Sequence, residues 1–244
     1  MFSVLPPTLS SSSSEQAPRP FLVWQRIIDW AQEHYRHRTF CRDERIPSRE
    51  GLLYLVQSGC VRLSSLAPNS SPVVDDSPEE QEDGADLSQA FLGFVGAGEP
   101  FELVSRQPLT MAAHAHADQT QVIWMYWNEL DNWPHFRREV MEAFRYQHQR
   151  KLLLLSALGQ RRTIDRLLGF LTLLVEEYGE PAQDKVILPW PLTHAQIGSA
   201  IGSTRVTVTR LMGRLRQQGM LEIQRENQIC LPMGRLHLLA NESD

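Results

Sequence analysis

Arginine and threonine side chains recur at helical spacing near the carboxyl-terminal end of the sequence. Residues 203–225 contain five arginines and one carboxylate. At about 100° per residue, one face of this segment carries Arg205, Val206, Thr209, Arg210 and Arg214. A guanidinium offers N–H donors in a fixed fork, which fits paired acceptors such as phosphate oxygens or the edge of guanine. The pattern therefore favours hydrogen bonding to a polyanion over making or breaking bonds.

The other side of this segment is apolar. Residues spaced i, i+3, i+4 and i+7 are Val208, Leu211, Met212 and Leu215. This spacing predicts a helix with one buried stripe. We expect Ser203 to cap its start and Gly219 to end it.

A second helix is predicted just before it. Thr193 and Gln196 have the T-x-x-Q spacing of a capping box, in which each side chain bonds the other residue's backbone N–H. The helix should run to Ile201, and Gly202 should end it in a left-handed conformation. The two helices then meet at a short glycine turn, as in a helix-turn-helix.

The flanking residues distinguish this motif from its simplest alternative, a helical hairpin with a solvated basic face. A short strand is predicted at 186–188, and two more at 221–224 and 228–231 surround a turn at 225–227. Two capped helices followed by a small hairpin are typical of a winged helix-turn-helix, for which we assign residues 161–244.

The rest of the chain predicts an α+β protein. Its 244 residues suffice for two modest domains. A formal net charge of −5 excludes a protein whose whole surface is basic, as in a nucleic-acid coat protein. Residues 1–19 are rich in serine and proline, which predicts a disordered lead-in. Residues 20–132 combine one helix with at least six short strands, which predicts a small antiparallel barrel or roll.

An acidic stretch interrupts the strands of this roll. Residues 75–86 contain seven carboxylates and no basic residue. We interpret residues 67–89 as a solvated acidic loop, with an acidic contact surface as the alternative.

The longest helical pattern covers residues 133–158. Val140, Phe144, His148, Leu152 and Leu155 recur about every four residues along it. Such a helix has little of its own chain to pack against, so pairing with a second copy is expected. We assign 133–160 as a dimerisation helix and hinge, with the hinge at 160–162.

Few residues suit metal binding or enzyme chemistry. Cys41, Cys60 and Cys230 lack metal-ligand spacing, and no cofactor-binding motif occurs. His114 and His116 would share one face of a strand, but two histidines do not complete a metal site. Ser105, His114 and Cys41 have no recognisable partners for nucleophilic catalysis, so we expect neither an enzyme nor a metal protein. No segment resembles a signal peptide or a membrane span, which predicts a cytoplasmic protein.

Two segments resemble a known family. The stretch GLLYLVQSGCVRLSS resembles the paired strands of the roll in the Crp/Fnr family of bacterial transcription regulators. The stretch GSTRVTVTRLMGRLRQQGMLEI closely resembles the recognition helix of the cyanobacterial nitrogen regulators within it. The resemblance implies a cyclic-nucleotide-binding-like roll, a dimerisation helix and a winged helix-turn-helix. It also implies a homodimer that reads palindromic double-stranded DNA resembling GTA-N8-TAC.

The resemblance assigns roles to the basic helix and the residues around it. Arg205 and Arg210 would bond guanine, and Val206 would pack on a thymine methyl group. Residues expected to hold phosphates are Ser203, Thr204, Thr207 and Arg214. The remaining expected DNA contacts are Thr193, Gln196 and Thr209.

The effector site departs from the family. Glu102 could replace the ribose-binding glutamate and Arg106 lies near it, but the Arg-Ser order that binds the cyclic phosphate is absent. Positions that hold 2-oxoglutarate in the nitrogen regulators are Gln147 and Leu152 here. We therefore expect a degenerate effector site.

Two further points stay open. An effector- or partner-binding protein that does not use its helix-turn-helix on specific DNA is the alternative function. If the protein activates transcription, it needs a surface for RNA polymerase, and the acidic loop is a candidate.

Overall fold

The computed structural model describes residues 25–47, 49, 51–66, 89–106, 109–224 and 228–232. The predicted lead-in at 1–19, acidic loop residues 67–88 and the wing turn at 225–227 lie outside this part of the chain. The amino-terminal elements are α1 (Gln25–Glu33), β1 (His37–Phe40), β2 (Arg45–Ile46), β3 (Leu52–Ser58), β4 (Cys60–Leu66), β5 (Gln89–Gly96), β6 (Pro100–Glu102), β7 (Ser105–Arg106), β8 (Leu109–Ala115) and β9 (Thr120–Tyr126).

Strands β1–β9 form the predicted roll from two antiparallel sheets. The first has the order β1-β9-β3-β6, and the second has the order β2-β8-β4-β5 with β7 paired to β8. Both sheets supply one apolar core that includes Tyr54, Val61 and Phe101. β2, β6 and β7 were not predicted, because two or three residues are too few to show an alternating pattern.

A long helix follows the roll. A 3-10 helix that was not predicted spans Trp127–Asn132. α2 spans Pro134–Leu158, as the periodicity over residues 133–158 predicted. The start of α2 is anchored, since Phe136 and Val140 pack with α1 and the first sheet. Farther along, large apolar side chains are exposed in the single chain, with Leu152 at 53% and Leu155 at 65%.

The carboxyl-terminal unit comprises α3 (Thr163–Tyr178), β10 (Glu180–Ala182), β11 (Lys185–Ile187), α4 (His194–Ile201), α5 (Arg205–Gln217), β12 (Glu222–Ile223) and β13 (Ile229–Pro232). The predicted wing hairpin belongs to a four-stranded sheet with the order β10-β11-β13-β12. Its core joins Phe170, Ile197 and Val208, and it extends to Phe91 and Phe94 of the roll. The carboxyl-terminal unit therefore packs directly on β5.

Candidate nucleic-acid interface and inter-domain cavity

Helix α5 separates an apolar face from a basic one. Val208, Met212 and Leu215 are buried, whereas Val206 is 72% exposed. Arg205, Arg210 and Arg214 are exposed as well. The predicted outer face is thus presented to solvent by a helix whose inner face is fixed in the core.

Helix α4 begins with the predicted capping box. Thr193 Oγ1 accepts a hydrogen bond of 3.1 Å from the Gln196 N–H, and Gln196 Oε1 accepts one of 3.0 Å from the Thr193 N–H. Gly202 ends the helix at φ 63°, ψ 52°. These local bonds fix the position at which α5 begins.

The turn between the helices requires a second glycine. The Ser203 N–H bonds the Gly198 carbonyl at 2.9 Å, which folds the turn back over α4. A Cβ atom on Gly198 would lie 2.7 Å from the Ser203 carbonyl oxygen. The close approach of two backbone segments explains glycine at a helical position.

The predicted cap of α5 is wrong by one residue. Thr204, rather than Ser203, is the N-cap, and its Oγ1 accepts a hydrogen bond of 3.2 Å from the Thr207 N–H. Its hydroxyl donates to Thr207 Oγ1 at 3.0 Å. Ser203 is held in the turn by its bond to Gly198, so the extended backbone of an N-cap falls on the next residue.

Thr209 has a structural role that its exposed position did not suggest. Its hydroxyl donates to the Arg205 carbonyl at 2.9 Å, and Oγ1 lies 2.9 Å from Nδ1 of His194. Because the only hydroxyl proton is used, Nδ1 must donate to Oγ1, and His194 takes the Nδ1–H tautomer. Partial burial, with the positive charge of Arg205, lowers the pKa of His194. His194 was not among the predicted site residues, although its place directly after the Thr193 cap puts it in the first turn of α4.

A cavity of about 290 Å³ lies between the roll, α2 and α3. Glu102 and Gln147 both line it, and Gln147 Nε2 donates to the Pro100 carbonyl at 2.9 Å. Leu152 is exposed on α2 and does not line the cavity. The Arg106 side chain lies outside the described part of the structure. The structure thus brings together two of the four expected effector positions.

Two buried carboxyl groups in this cavity were not predicted. Glu99 is 6% exposed, and its Oε2 accepts a hydrogen bond of 2.6 Å from the Gly96 N–H. The Tyr178 hydroxyl lies 3.3 Å from the same oxygen and shares its proton with the Phe94 carbonyl at 3.0 Å. Burial, reinforced by the negative charge of Glu177, raises the pKa of Glu99 to about 8. The two glutamates belong to different units of the chain, so no local pattern could indicate that they meet.

Glu177 connects the same cavity to α2. Arg150 Nε lies 3.0 Å from Glu177 Oε2, and the Tyr146 hydroxyl donates to that oxygen at 2.6 Å. Burial and the bond to Glu177 raise the pKa of Tyr146 to about 12. The roll, α2 and α3 are therefore joined by one polar network.

His116 is a core residue rather than a ligand on a strand face. β8 ends at Ala115, and the buried His116 ring packs against Phe94 at a centroid distance of 4.7 Å. Its Nε2 lies 3.2 Å from the Pro191 carbonyl, so Nε2 carries the proton. Burial lowers its pKa to about 4. Among the described residues, no group of three potential metal ligands occurs.

Residues 165–236 match the Crp-like helix-turn-helix domain. A global nitrogen regulator from Nostoc is 40% identical over 74 residues, which cover 30% of this chain and 33% of that regulator. The chain thus spans about a third of the length of that relative. These matches confirm the Crp-type resemblance and its link to the nitrogen regulators in the recognition helix.

The whole described fold is also similar to solved structures. A CRP-family transcriptional regulator from Thermus thermophilus superposes with a TM-score of 0.61 at 19% identity, covering 83% of this chain and 96% of that one. A protein from Listeria monocytogenes with a cyclic-nucleotide-binding domain gives 0.65 at 13% identity, covering 86% and 97%. The α+β class with roll, long helix and helix-turn-helix is confirmed. No described helix has the length and apolar character needed to cross a membrane.

Proposed function

We propose that this chain, which carries a Crp-like helix-turn-helix at residues 165–236, is a transcription regulator that binds specific DNA as a homodimer. The observation that carries the proposal is the exposed arginine face of α5 on a helix fixed by the Thr193, Gly202 and Thr204 caps. A surface that reads bases needs side chains with long reach on a rigid frame, and this face combines the two.

Base reading falls to the outermost side chains of α5. Arg205 and Arg210 carry the forked donors that distinguish guanine, and Val206 offers the apolar surface that fits a thymine methyl group. Their exposure leaves them accessible to the floor of a major groove.

The residues around the caps suit the phosphate backbone. The residues proposed to contact phosphates are Thr193, Gln196, Ser203, Thr204, Thr207 and Arg214. Beside them, Thr209 holds His194 in place through a hydrogen bond. The amino-terminal turns of α4 and α5 add backbone N–H groups, which attract phosphates. Such contacts set the register on DNA without reading the sequence.

Dimerisation follows from α2. Its exposed apolar side chains include Met141, Leu152 and Leu155. Met141, His148 and Leu155 are seven residues apart, as are Arg145 and Leu152, which is the heptad spacing of a two-stranded coiled coil. A second copy covers this stripe and places two recognition helices one turn of DNA apart, about 34 Å. The proposed site is a palindrome of the form GTA-N8-TAC.

Selection of bound sequences from a random DNA pool tests the proposal. We expect enrichment of two inverted half-sites eight bases apart. A pool that stays random at moderate salt would overturn it, because phosphate contacts alone give no sequence preference. The alternative, a helix-turn-helix that contacts only protein, is less well supported, since Val206, at 72%, is the sole strongly exposed apolar residue on α5.

A further inference from the structure

The inter-domain cavity contains more buried acid than its own chain neutralises. Glu99 and Glu177 are both more than nine-tenths buried, and Glu102 also lines the cavity. Arg150 pairs with Glu177 at 3.0 Å, but it also contacts Glu176 at 3.5 Å and donates to the Leu173 carbonyl at 2.7 Å. The donors of this cation are therefore occupied on the α3 side.

Glu99 lacks a cationic partner within the part of the chain that the structure describes. It contacts the Gly96 N–H, the Tyr178 hydroxyl and Glu177. A carboxylate buried without a counter-charge is costly, so such a group is held protonated until a cation reaches it. An anionic ligand would place a further negative charge beside this pair.

Gln147 and Lys151 of α2 also line the cavity, and Lys151 is exposed to solvent. Most of the remaining wall is apolar and aromatic. Phe91, Phe94, Phe101, Phe144 and Phe170 all line it. Ring faces attract organic cations and bury apolar groups. A bare metal ion does not fit these walls, and no described cluster supplies three ligands for one.

We propose that this cavity binds a small primary amine with an aromatic or apolar body, whose ammonium group pairs with the Glu99 carboxylate. The body lies among the phenylalanine rings. When the ammonium arrives, the Glu99 carboxyl releases its proton to the solvent, so that the bound state contains one cation and one anion. This ligand is a cation, whereas a cyclic nucleotide and 2-oxoglutarate are anions.

Ligand binding in the cavity would affect the position of the recognition helix α5 through α3. Glu99 belongs to the roll, whereas Glu177 and Tyr178 end the helix that opens the carboxyl-terminal unit. An ammonium at Glu99 changes the network that joins them. Only this consequence rests on the proposed DNA-binding function; binding of the amine does not, so the two can fail separately.

Calorimetry on the full chain tests the site with three probes that share a phenylethyl group and differ in charge. They are the cation 2-phenylethylamine, the neutral 2-phenylethanol and the anion 3-phenylpropionate. We expect the amine to bind at least tenfold more tightly than the alcohol, and the carboxylate not to bind. At pH 7, binding of the amine should release close to one proton from the Glu99 carboxyl, so the measured heat should differ between phosphate and Tris buffers. Equal binding of amine and carboxylate, heats independent of buffer, or no binding of any probe would overturn the proposal.

Two variants distinguish an effect of the Glu99 charge on amine binding from a general disturbance of the fold. Glu99→Gln keeps an oxygen that accepts from Gly96 and Tyr178, so we expect the alcohol to bind as before while the amine loses its tenfold advantage. Glu176→Gln is the matched control, because Glu176 is exposed, lies on α3 and contacts Arg150 but does not line the cavity. It should bind the amine as the unmodified protein does. Retained amine preference in Glu99→Gln, with unchanged thermal unfolding, would contradict the assignment.

Discussion

Nδ1 of His194 lies 2.9 Å from Oγ1 of Thr209, and this hydrogen bond joins the first turn of α4 to the middle of α5. The same Oγ1 donates to the Arg205 carbonyl. The angle between the two helices is therefore fixed by a side-chain bond as well as by their shared apolar core. The orientation of the arginine face of α5 therefore depends on this hydrogen bond.

Thr209→Val should destabilise the helix pair by about 1 kcal/mol, because the partly buried His194 N–H loses its acceptor. Free energies of unfolding in urea for the unmodified protein, Thr209→Val, His194→Ala and the double variant form a double-mutant cycle. A coupling energy near zero would show that the two side chains do not support each other.

Arg205→Ala should weaken binding to the preferred DNA site by about 1–3 kcal/mol and relax the base preference at one position. Its control is Arg214→Ala, which should weaken all sequences alike and reduce the salt slope by about one unit. Gel shifts on matched and mismatched sites at two salt concentrations compare the two variants. Equal losses on both sites for Arg205→Ala would refute its role in base reading.

The two glycines of the turn should respond differently to alanine. Gly202→Ala meets open space but must keep φ near 63°, a left-handed conformation that costs about 1–2 kcal/mol. Gly198→Ala should cost more, since its Cβ would lie 2.7 Å from a backbone oxygen that cannot rotate away. Free energies of unfolding from urea titration measure both, and a larger loss for Gly202→Ala would contradict the turn geometry.

Acid should destabilise the contact between the roll and the carboxyl-terminal unit through His116. The ordinary pKa of 6.5 applies to the unfolded chain, whereas burial holds the folded value near 4. Stability is therefore complete above pH 6.5 and falls as the pH drops toward 4, when the unfolded chain alone takes up the proton. The loss from this group approaches about 3 kcal/mol.

His116→Gln isolates that contribution, because its amide can still donate to the Pro191 carbonyl but does not titrate. We expect the difference in unfolding free energy between the two proteins to shrink between pH 7 and pH 4. A constant difference would show that His116 is not held neutral in the folded protein.

Leu155→Glu should convert the dimer to monomers, since it replaces the most exposed leucine of the α2 stripe with a charge at the carboxyl-terminal end of that stripe. Gln32→Glu adds the same charge at an exposed position of α1 and should leave the dimer intact. Sedimentation equilibrium gives the two masses. A Leu155→Glu protein that remains a dimer would place the subunit contact elsewhere.

The helix-turn-helix could be predicted from the sequence because its determinants are local. The Thr193–Gln196 box spans four residues, and Gly202 ends α4 by a preference of its own backbone. The apolar stripe of α5 follows from helical periodicity in the same way. The cap of α5 was misassigned by one residue, since Ser203 and Thr204 have similar capping propensities and only the bond from Ser203 to Gly198 decides between them.

The cavity and the buried residues around it depended on tertiary structure. Tyr178 reaches Glu99 across 79 positions of sequence, and His116 reaches Pro191 across 75. A single sequence reports helical or alternating periodicity, which repeats within a few residues, but it carries no signal for which distant side chains will share a buried space. The pKa values of Glu99 and His116 are set by that shared burial, so the chemistry of the cavity emerged only when the roll and the carboxyl-terminal unit packed together.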